Sequence, residues 1–264
     1  MTAISLPLPL RHPDRTDGGF RPRKAWGHFQ KLIADKEDTE QVFHIIDALR
    51  DRRFARRAER FYATAFGRST LDDGPSLVAL LDDHDSLRSL EPGTVGRAYL
   101  AFMEREGLSA QGLVDEYTRF RCGQPRFDDL IERYANRLRD THDLLHVLTG
   151  YGRDALGEAS VLAFSERHTP SWGTLFIAWA GAAQIRKQVP RAANIFGCIR
   201  EARRLGKASA NIAHQDIAAL LREPLDDARA RLNIGKPVTY LRAHEVMRAA
   251  GLNPAETALA VQTA

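Results

Sequence analysis

Cysteine is almost missing from this chain: Cys122 and Cys198 are the only two in 264 residues. Two thiols cannot build a disulfide framework or a cysteine-rich zinc site. Both read as reduced, buried packing residues of a cytosolic protein, with no neighbouring base to activate them. Long hydrophobic runs are also missing. The longest, "SWGTLFIAWAGAAQI" at 171–185, is shorter than the roughly 20 residues a spanning helix needs. The opening "MTAISLPLPLRHPDR" has no basic residue before Arg11, and Pro7 and Pro9 break its apolar stretch, which argues against a signal peptide. The chain is expected to be soluble or peripheral to a membrane. Charge of one sign does not dominate: the net charge is +4 and the pI about 9.2. That mild excess hints at an anionic partner without naming it. No recognition motif or stacking aromatics accompany the basic residues, so nucleic acid is not expected as a partner.

What is present is helical periodicity. Hydrophobic residues make up 44% and charged residues 27%, ordinary values for a globular core. In 38–66, Val42, Ile45, Ile46, Leu49, Phe54, Ala58, Phe61 and Tyr62 recur at three- and four-residue spacing, with Asp38 a cap and Gln41 three residues on. Thr94 caps a helix that Gly107 stops, and Ser109 starts another. Further helices are expected near 171–188, 191–205, 214–222 and 239–250. Strict alternation with hairpin turns does not occur. The expected fold is all-α, a single-domain helical bundle containing a metal-bearing helical hairpin. A flexible N-terminal arm is expected at 1–24, the helical domain at 25–235, and a helical tail at 236–264.

The chemistry concentrates in "RDTHDLLHVLTGYGRDALGEAS", residues 139–160. The pattern predicts one long helix over 127–149, ended by Gly150, and a second capped by Asp154. His142 and His146 are four apart and share a face. Glu158 lies one turn into the second helix, at the level of His146 across the "GYGR" turn. Asp143 can reach the same centre from the flank or support it. Two imidazoles with one or two carboxylates form a ligand set for zinc or non-haem Fe(II). The plainer reading is an ordinary surface histidine pair with solvated acids. Arg153, in the turn, can hold an anionic substrate group or simply face solvent. The other histidines, at 12, 28, 44, 84, 168, 214 and 244, lack partners at ligand spacing. An "HD" pair also occurs in metal-dependent phosphohydrolases. Those need an upstream histidine in range, and the nearest here is the distant His84.

His142-Asp143-x-x-His146, followed after eleven residues by Glu158, resembles the signature of the ubiquinone (coenzyme Q) biosynthesis protein 4 family. The resemblance extends to "PGTVGRAYLAFMEREGLSAQGLV" (92–114), "THDLLHVLTGYGRDALGEASVLAF" (141–164) and "IAALLREPLDDARARLNI" (217–234). It implies an all-helical protein, cytoplasmic and peripheral to the cytoplasmic face of the inner membrane, associated with other ubiquinone-biosynthesis proteins. A homodimer is compatible with it. It implies a zinc ion (Fe2+ as the alternative) held by His142, Asp143, His146 and Glu158. The implied activity is removal of the C1 carboxylate from a prenylated 4-hydroxybenzoate, in an oxidative variant with C1 hydroxylation. Asp143 and Glu158 are then the catalytic candidates and Arg153 the substrate-binding one. A non-catalytic scaffold or lipid-binding organiser is the alternative.

A prenylated substrate needs apolar lining, which "VLTGY", "ASVLAF" and "TLFIAWAGAAQI" can supply, although such stripes are ordinarily core. "RDRRFARRAERFY" (50–62) sets an apolar face of Phe54, Ala58, Phe61 and Tyr62 against Arg52, Arg53, Arg56, Arg57 and Arg60. Such a helix can lie on an anionic membrane surface or pack that face into a core.

Overall fold

Short polar side chains that accept the free amides of a first turn mark where the helices begin. Thr94 accepts from Arg97 N (3.4 Å), Ser109 from Gly112 N (3.0 Å), Asp129 from Glu132 N (2.8 Å), Asp154 from Gly157 N (3.1 Å) and Ser171 from Thr174 N (3.3 Å). They open the helices Val95–Glu106, Ala110–Phe120, Leu130–Asp140, Ala155–Ser165 and Trp172–Gln188. Gly107 closes the first of these at φ 66°. The computed structural model describes residues 8–15, 19–35, 38, 40–50, 53–71 and 76–256. The chain is all-α, with no strand among the described residues.

The chain divides into two compact units. The first comprises Met1–Asp17, Asp51–Asp143 and Asn211–Glu223. Its core joins Ala58, Phe61 and Tyr62 of the helix Phe54–Tyr62 to Leu130, Ile131 and Tyr134 of Leu130–Asp140. The apolar face of the basic 50–62 segment is therefore covered by protein, and it is the core that its amphipathic pattern serves. Of its arginines, Arg52 lies outside the described residues. The first two amides of Val95–Glu106 donate to the segment 221–223: Val95 N to Glu223 O (2.9 Å) and Gly96 N to Leu221 O (2.8 Å). A Cβ on Gly96 would stand 2.9 Å from that Leu221 oxygen, so the approach requires glycine.

The second unit comprises Gly18–Arg50, Leu144–Ala210 and Pro224–Ala264. Ala155–Ser165 packs against both Trp172–Gln188 and Ile195–Ala208. Ala25, Phe29 and Leu32 of the helix Pro22–Ala34 join Ile45, Ala48 and Ile177 in a further cluster. Gly206 lets Ile195–Ala208 approach closely, because a Cβ there would meet the Phe164 carbonyl oxygen at 2.2 Å.

Several expectations need correction. The helix expected over 127–149 is two, Leu130–Asp140 and His142–Thr149. At Thr141 both the backbone N–H (3.2 Å) and Oγ1 (2.9 Å) donate to Arg137 O, and such back-bonding by threonine competes with continuation of a helix. The periodic segment 38–66 is likewise divided into Glu40–Ala48 and Phe54–Tyr62. Of the expected flexible arm, residues 1–7 and 16–18 lie outside the described residues. Residues 8–15 are held: Leu130 N donates to Pro9 O (3.0 Å), and Arg15 forms a buried pair with Asp129 (Nε–Oδ2 2.6 Å). From Pro22 the arm is already helix. Cys198 is buried, but Cys122 is exposed.

Candidate metal centre

The helix His142–Thr149 is eight residues long and carries His142, Asp143 and His146. Ligand atoms of these three lie within 4.8 Å of one another. The break at Thr141 puts His142 and Asp143 in a first turn, and His146 follows one turn later on the same face. His146 is buried at 2% exposure, while His142 and Asp143 are half-buried.

The helix ends in a way that orients His146. Gly150 takes φ 78° and returns its amide to His146 O (2.9 Å). The chain then turns so that Tyr151 O stands 3.1 Å from His146 Nδ1. A carbonyl oxygen can only accept, so Nδ1 carries the hydrogen, and in the neutral ring Nε2 keeps its lone pair. This is how a metal-binding imidazole is ordinarily oriented. Two further carbonyls of the last turn are taken by Arg229, whose Nε and Nη2 donate to Leu148 O (3.0 Å) and Val147 O (3.1 Å).

Glu158 enters through His146, its Oε2 standing 3.5 Å from Nε2. Arg153 approaches the other side, with Nε 3.8 Å from Glu158 Oε1. The two levels expected to meet across the turn do meet. A lone pair on Nε2 facing a carboxylate oxygen is repulsive unless a proton or cation lies between them. His142, Asp143 and His146 bring two imidazoles and one carboxylate together, a donor set that suits zinc or Fe(II); Glu158 approaches His146 but lies outside that group.

Beside Asp143, burial drives the Tyr99 phenol well above its ordinary range, and the carboxylates of Asp143, Asp82 and Asp140 add to the effect. Burial likewise raises the Asp140 carboxyl, against the pull of Arg139 and Arg137.

The Gly150–Asp154 turn has supports the sequence did not announce. Tyr240, on the helix Val238–Ala249, accepts from Gly152 N (2.9 Å) and donates to Asp154 Oδ2. His244 Nε2 stands 3.1 Å from Asp154 Oδ1. His244, read as partnerless at ligand spacing, thus has its partner 90 residues away in sequence. The Tyr151 carbonyl is a backbone group and leaves no signature in any residue pattern. Arg229 did lie in a segment of family resemblance, "IAALLREPLDDARARLNI".

The apolar segments expected to flank the site are largely core: Val147, Leu148, Val161, Ala163, Phe164, Ile177, Ala178 and Ala182 are all buried. No helix among the described residues is long and apolar enough to cross a membrane.

Residues 35–238 match the family model described as coenzyme Q (ubiquinone) biosynthesis protein Coq4. A mitochondrial ubiquinone biosynthesis protein of Pyrenophora tritici-repentis is 29% identical over 200 residues, covering 75% of this chain and 66% of the relative. One from Uncinocarpus reesii is 31% identical over 209 residues, covering 78% and 68%. The chain spans about two thirds of the length of such relatives. A crystal structure from Nostoc punctiforme, provisionally assigned to ubiquinone biosynthesis, shares the fold, with TM-score 0.60 and 19% identity over 83% of this chain and 100% of that one. With the match extending over residues 35–238, and the motif helix inside it, this chain belongs to the Coq4 family of coenzyme Q (ubiquinone) biosynthesis proteins.

Proposed function

We propose that the chain is a metal-dependent enzyme that removes the C1 carboxylate from a prenylated 4-hydroxybenzoate intermediate of ubiquinone synthesis. The observation that carries the reading is the convergence of His142, Asp143 and His146 within 4.8 Å, with Glu158 at 3.5 Å from His146. Bound there, a zinc or ferrous ion would supply a Lewis acid for the substrate carboxylate.

The chain's own residues supply the rest. Arg153, partly exposed, offers a guanidinium to an anionic group of the substrate. Glu158, between that guanidinium and the His146 ring, is placed to hold or deliver a proton. In the non-oxidative route a proton adds to ring C1, the phenolate oxygen stabilises the dearomatised ring, and the C1–carboxylate bond then breaks. Its electron pair restores aromaticity as CO2 leaves. The oxidative route also places hydroxyl at C1 and requires an electron acceptor. Ferrous ion favours that route, because zinc has no redox chemistry of its own. Association with the membrane holding the prenylated intermediate, and with other ubiquinone-biosynthesis proteins, belongs to the same reading.

The test combines metal content and product. Protein purified without a chelating tag is expected to carry near-stoichiometric zinc or iron. His142→Ala and Glu158→Ala should lose the metal while keeping their helicity. Cells relying on either variant should then accumulate the C1-carboxylated intermediate. Normal ubiquinone synthesis by a folded, metal-free variant would sink the enzyme reading and leave a scaffold.

A further inference from the structure

Tyr151 and Gly152 share one peptide group, and that group is held at both ends. Its carbonyl oxygen accepts from His146 Nδ1 (3.1 Å), and its N–H donates to the Tyr240 phenol oxygen (2.9 Å). The phenol passes its own hydrogen to Asp154 Oδ2, and His244 Nε2 meets the other carboxylate oxygen, Oδ1, at 3.1 Å. An ionised carboxylate only accepts, so that nitrogen of His244 carries its hydrogen. The donors therefore point one way: His146 to the peptide, the peptide to Tyr240, Tyr240 to Asp154, with His244 closing the far end. A peptide that donates its N–H becomes a better acceptor at its oxygen, so the bonds of such a line strengthen one another. The line ends on a carboxylate, a group that elsewhere accepts directly from metal-binding imidazoles and raises their basicity.

It is also dry and anchored. Tyr151 is 2% exposed and Tyr240 3%, and their rings meet edge-to-face at 5.1 Å. The side chains of His244 and Asp154 are nearly buried. Thr239 N donates to Glu201 Oε2 (2.7 Å), which pins the start of Val238–Ala249 to the helix Ile195–Ala208. Burial, with Asp154 adding to it, drives the Tyr240 phenol far above its ordinary range, so it stays protonated and able to donate. Asp154 Oδ1 also accepts from Gly157 N, capping the helix whose first turn bears Glu158. His146, the turn, Tyr240 and His244 all belong to the second unit. Tyr240 and His244 lie beyond residues 35–238, the stretch matched to the family, so membership of the family assigns them no role.

We propose that Tyr240 and His244 are positioning residues for His146: through Asp154 and the Tyr151–Gly152 peptide they hold its ring as the Nδ1–H tautomer, which leaves Nε2 to bind metal. The consequence for metal binding rests on the proposed role of His146 as a ligand. Bracing the turn would need only its shape, whereas this relay needs every hydrogen placed in one direction.

The test reads two quantities in the folded, full-length protein. Imidazole nitrogen NMR of the metal-free protein reports the His146 tautomer, and chelator competition with zinc alone reports affinity. The wild type is expected to show the Nδ1–H form. Tyr240→Phe keeps the ring and removes the phenol oxygen; a mixture of tautomers and a loss of zinc affinity of about 10- to 100-fold should follow. His244→Ala should shift both readings in the same direction, by about tenfold in affinity, the low end of that range. His244→Gln, which still presents an N–H toward Asp154, should restore them. Wild-type tautomer and wild-type affinity in Tyr240→Phe overturn the inference even if that variant is less stable, because the phenol then only braces. Equal effects of His244→Ala and His244→Gln overturn it too, and this pair decides alone if Tyr240→Phe does not fold. A wild type that takes up no zinc sinks the ligand reading, and the tautomer then judges the relay by itself. An Nδ1–H preference abolished by Tyr240→Phe supports the relay, and one left intact overturns it.

Discussion

At the scale of single residues, environment decides the chemistry. Asp129 is fully buried, caps the helix Leu130–Asp140, and accepts from His12 N (2.9 Å) and from Arg15 Nε (2.6 Å) and Nη2 (2.8 Å). Burial alone would raise its carboxyl, but the Arg15 guanidinium and the two backbone amides hold it below the ordinary value of 3.8. The stability it contributes is therefore complete above that value and is lost as pH falls through the lowered folded value. Arg15→Ala leaves a buried carboxylate without its cation and should cost about 3 kcal/mol in urea unfolding. A cost under about 0.5 kcal/mol, the range of an ordinary surface change, would mean the pair is not a buried anchor. The thiols separate the same way. Burial pushes Cys198 up to about 12, whereas Cys122 is exposed. Native protein is expected to react with a thiol reagent once per chain, at Cys122, and twice only after unfolding.

At the scale of elements, the short turn between His142–Thr149 and Ala155–Ser165 governs the candidate site. A Cβ on Gly157 would stand 2.0 Å from Gly152 O, and Gly157 immediately precedes Glu158. Gly157→Ala is expected to displace both the turn and Glu158, lowering metal affinity about 10- to 100-fold in a chelator competition, the range seen when ligand support is lost. Tyr240→Phe removes the acceptor of Gly152 N and a donor to Asp154, and should cost about 1–3 kcal/mol. Equal denaturation midpoints for the variant and the wild type would show that the tail helix does not secure the turn. The element pattern was legible because periodicity and capping are local: Thr94, Ser109, Asp154, Gly107 and Gly150 act where expected. The break at Thr141 was not, because its hydroxyl bonding back to Arg137 O is one of several options a threonine has.

At the scale of the whole molecule, a ligand that binds only the folded chain stabilises it by mass action. If the centre holds a divalent ion, chelation should lower the melting temperature by several degrees, and restoring zinc or ferrous ion should recover it. At an ion concentration a hundredfold above Kd the effect is about 2.7 kcal/mol. An unchanged melting curve after verified metal loss would show that occupancy is not coupled to folding. Net charge and apolar content did not single out a membrane face. The amphipathic pattern of 50–62 fitted a membrane surface and a core equally well, and only packing decides between them. Phe61 and Tyr62 are 2% exposed, so that face is core.

From the sequence alone came the all-α class, most helix ends, and the nearness of His142, Asp143 and His146 on one helix with Glu158 set against His146. Each depends on spacing within one helix or across one short turn, where geometry follows directly from residue count. The tertiary structure alone decided which tautomer His146 presents, that Tyr240 and His244 brace the turn, that Arg15 pairs with the buried Asp129, and that the apolar side of 50–62 is core. Those outcomes rest on backbone carbonyls and on partners dozens of residues apart. Their meeting depends on how the helices pack, which residue periodicity does not encode.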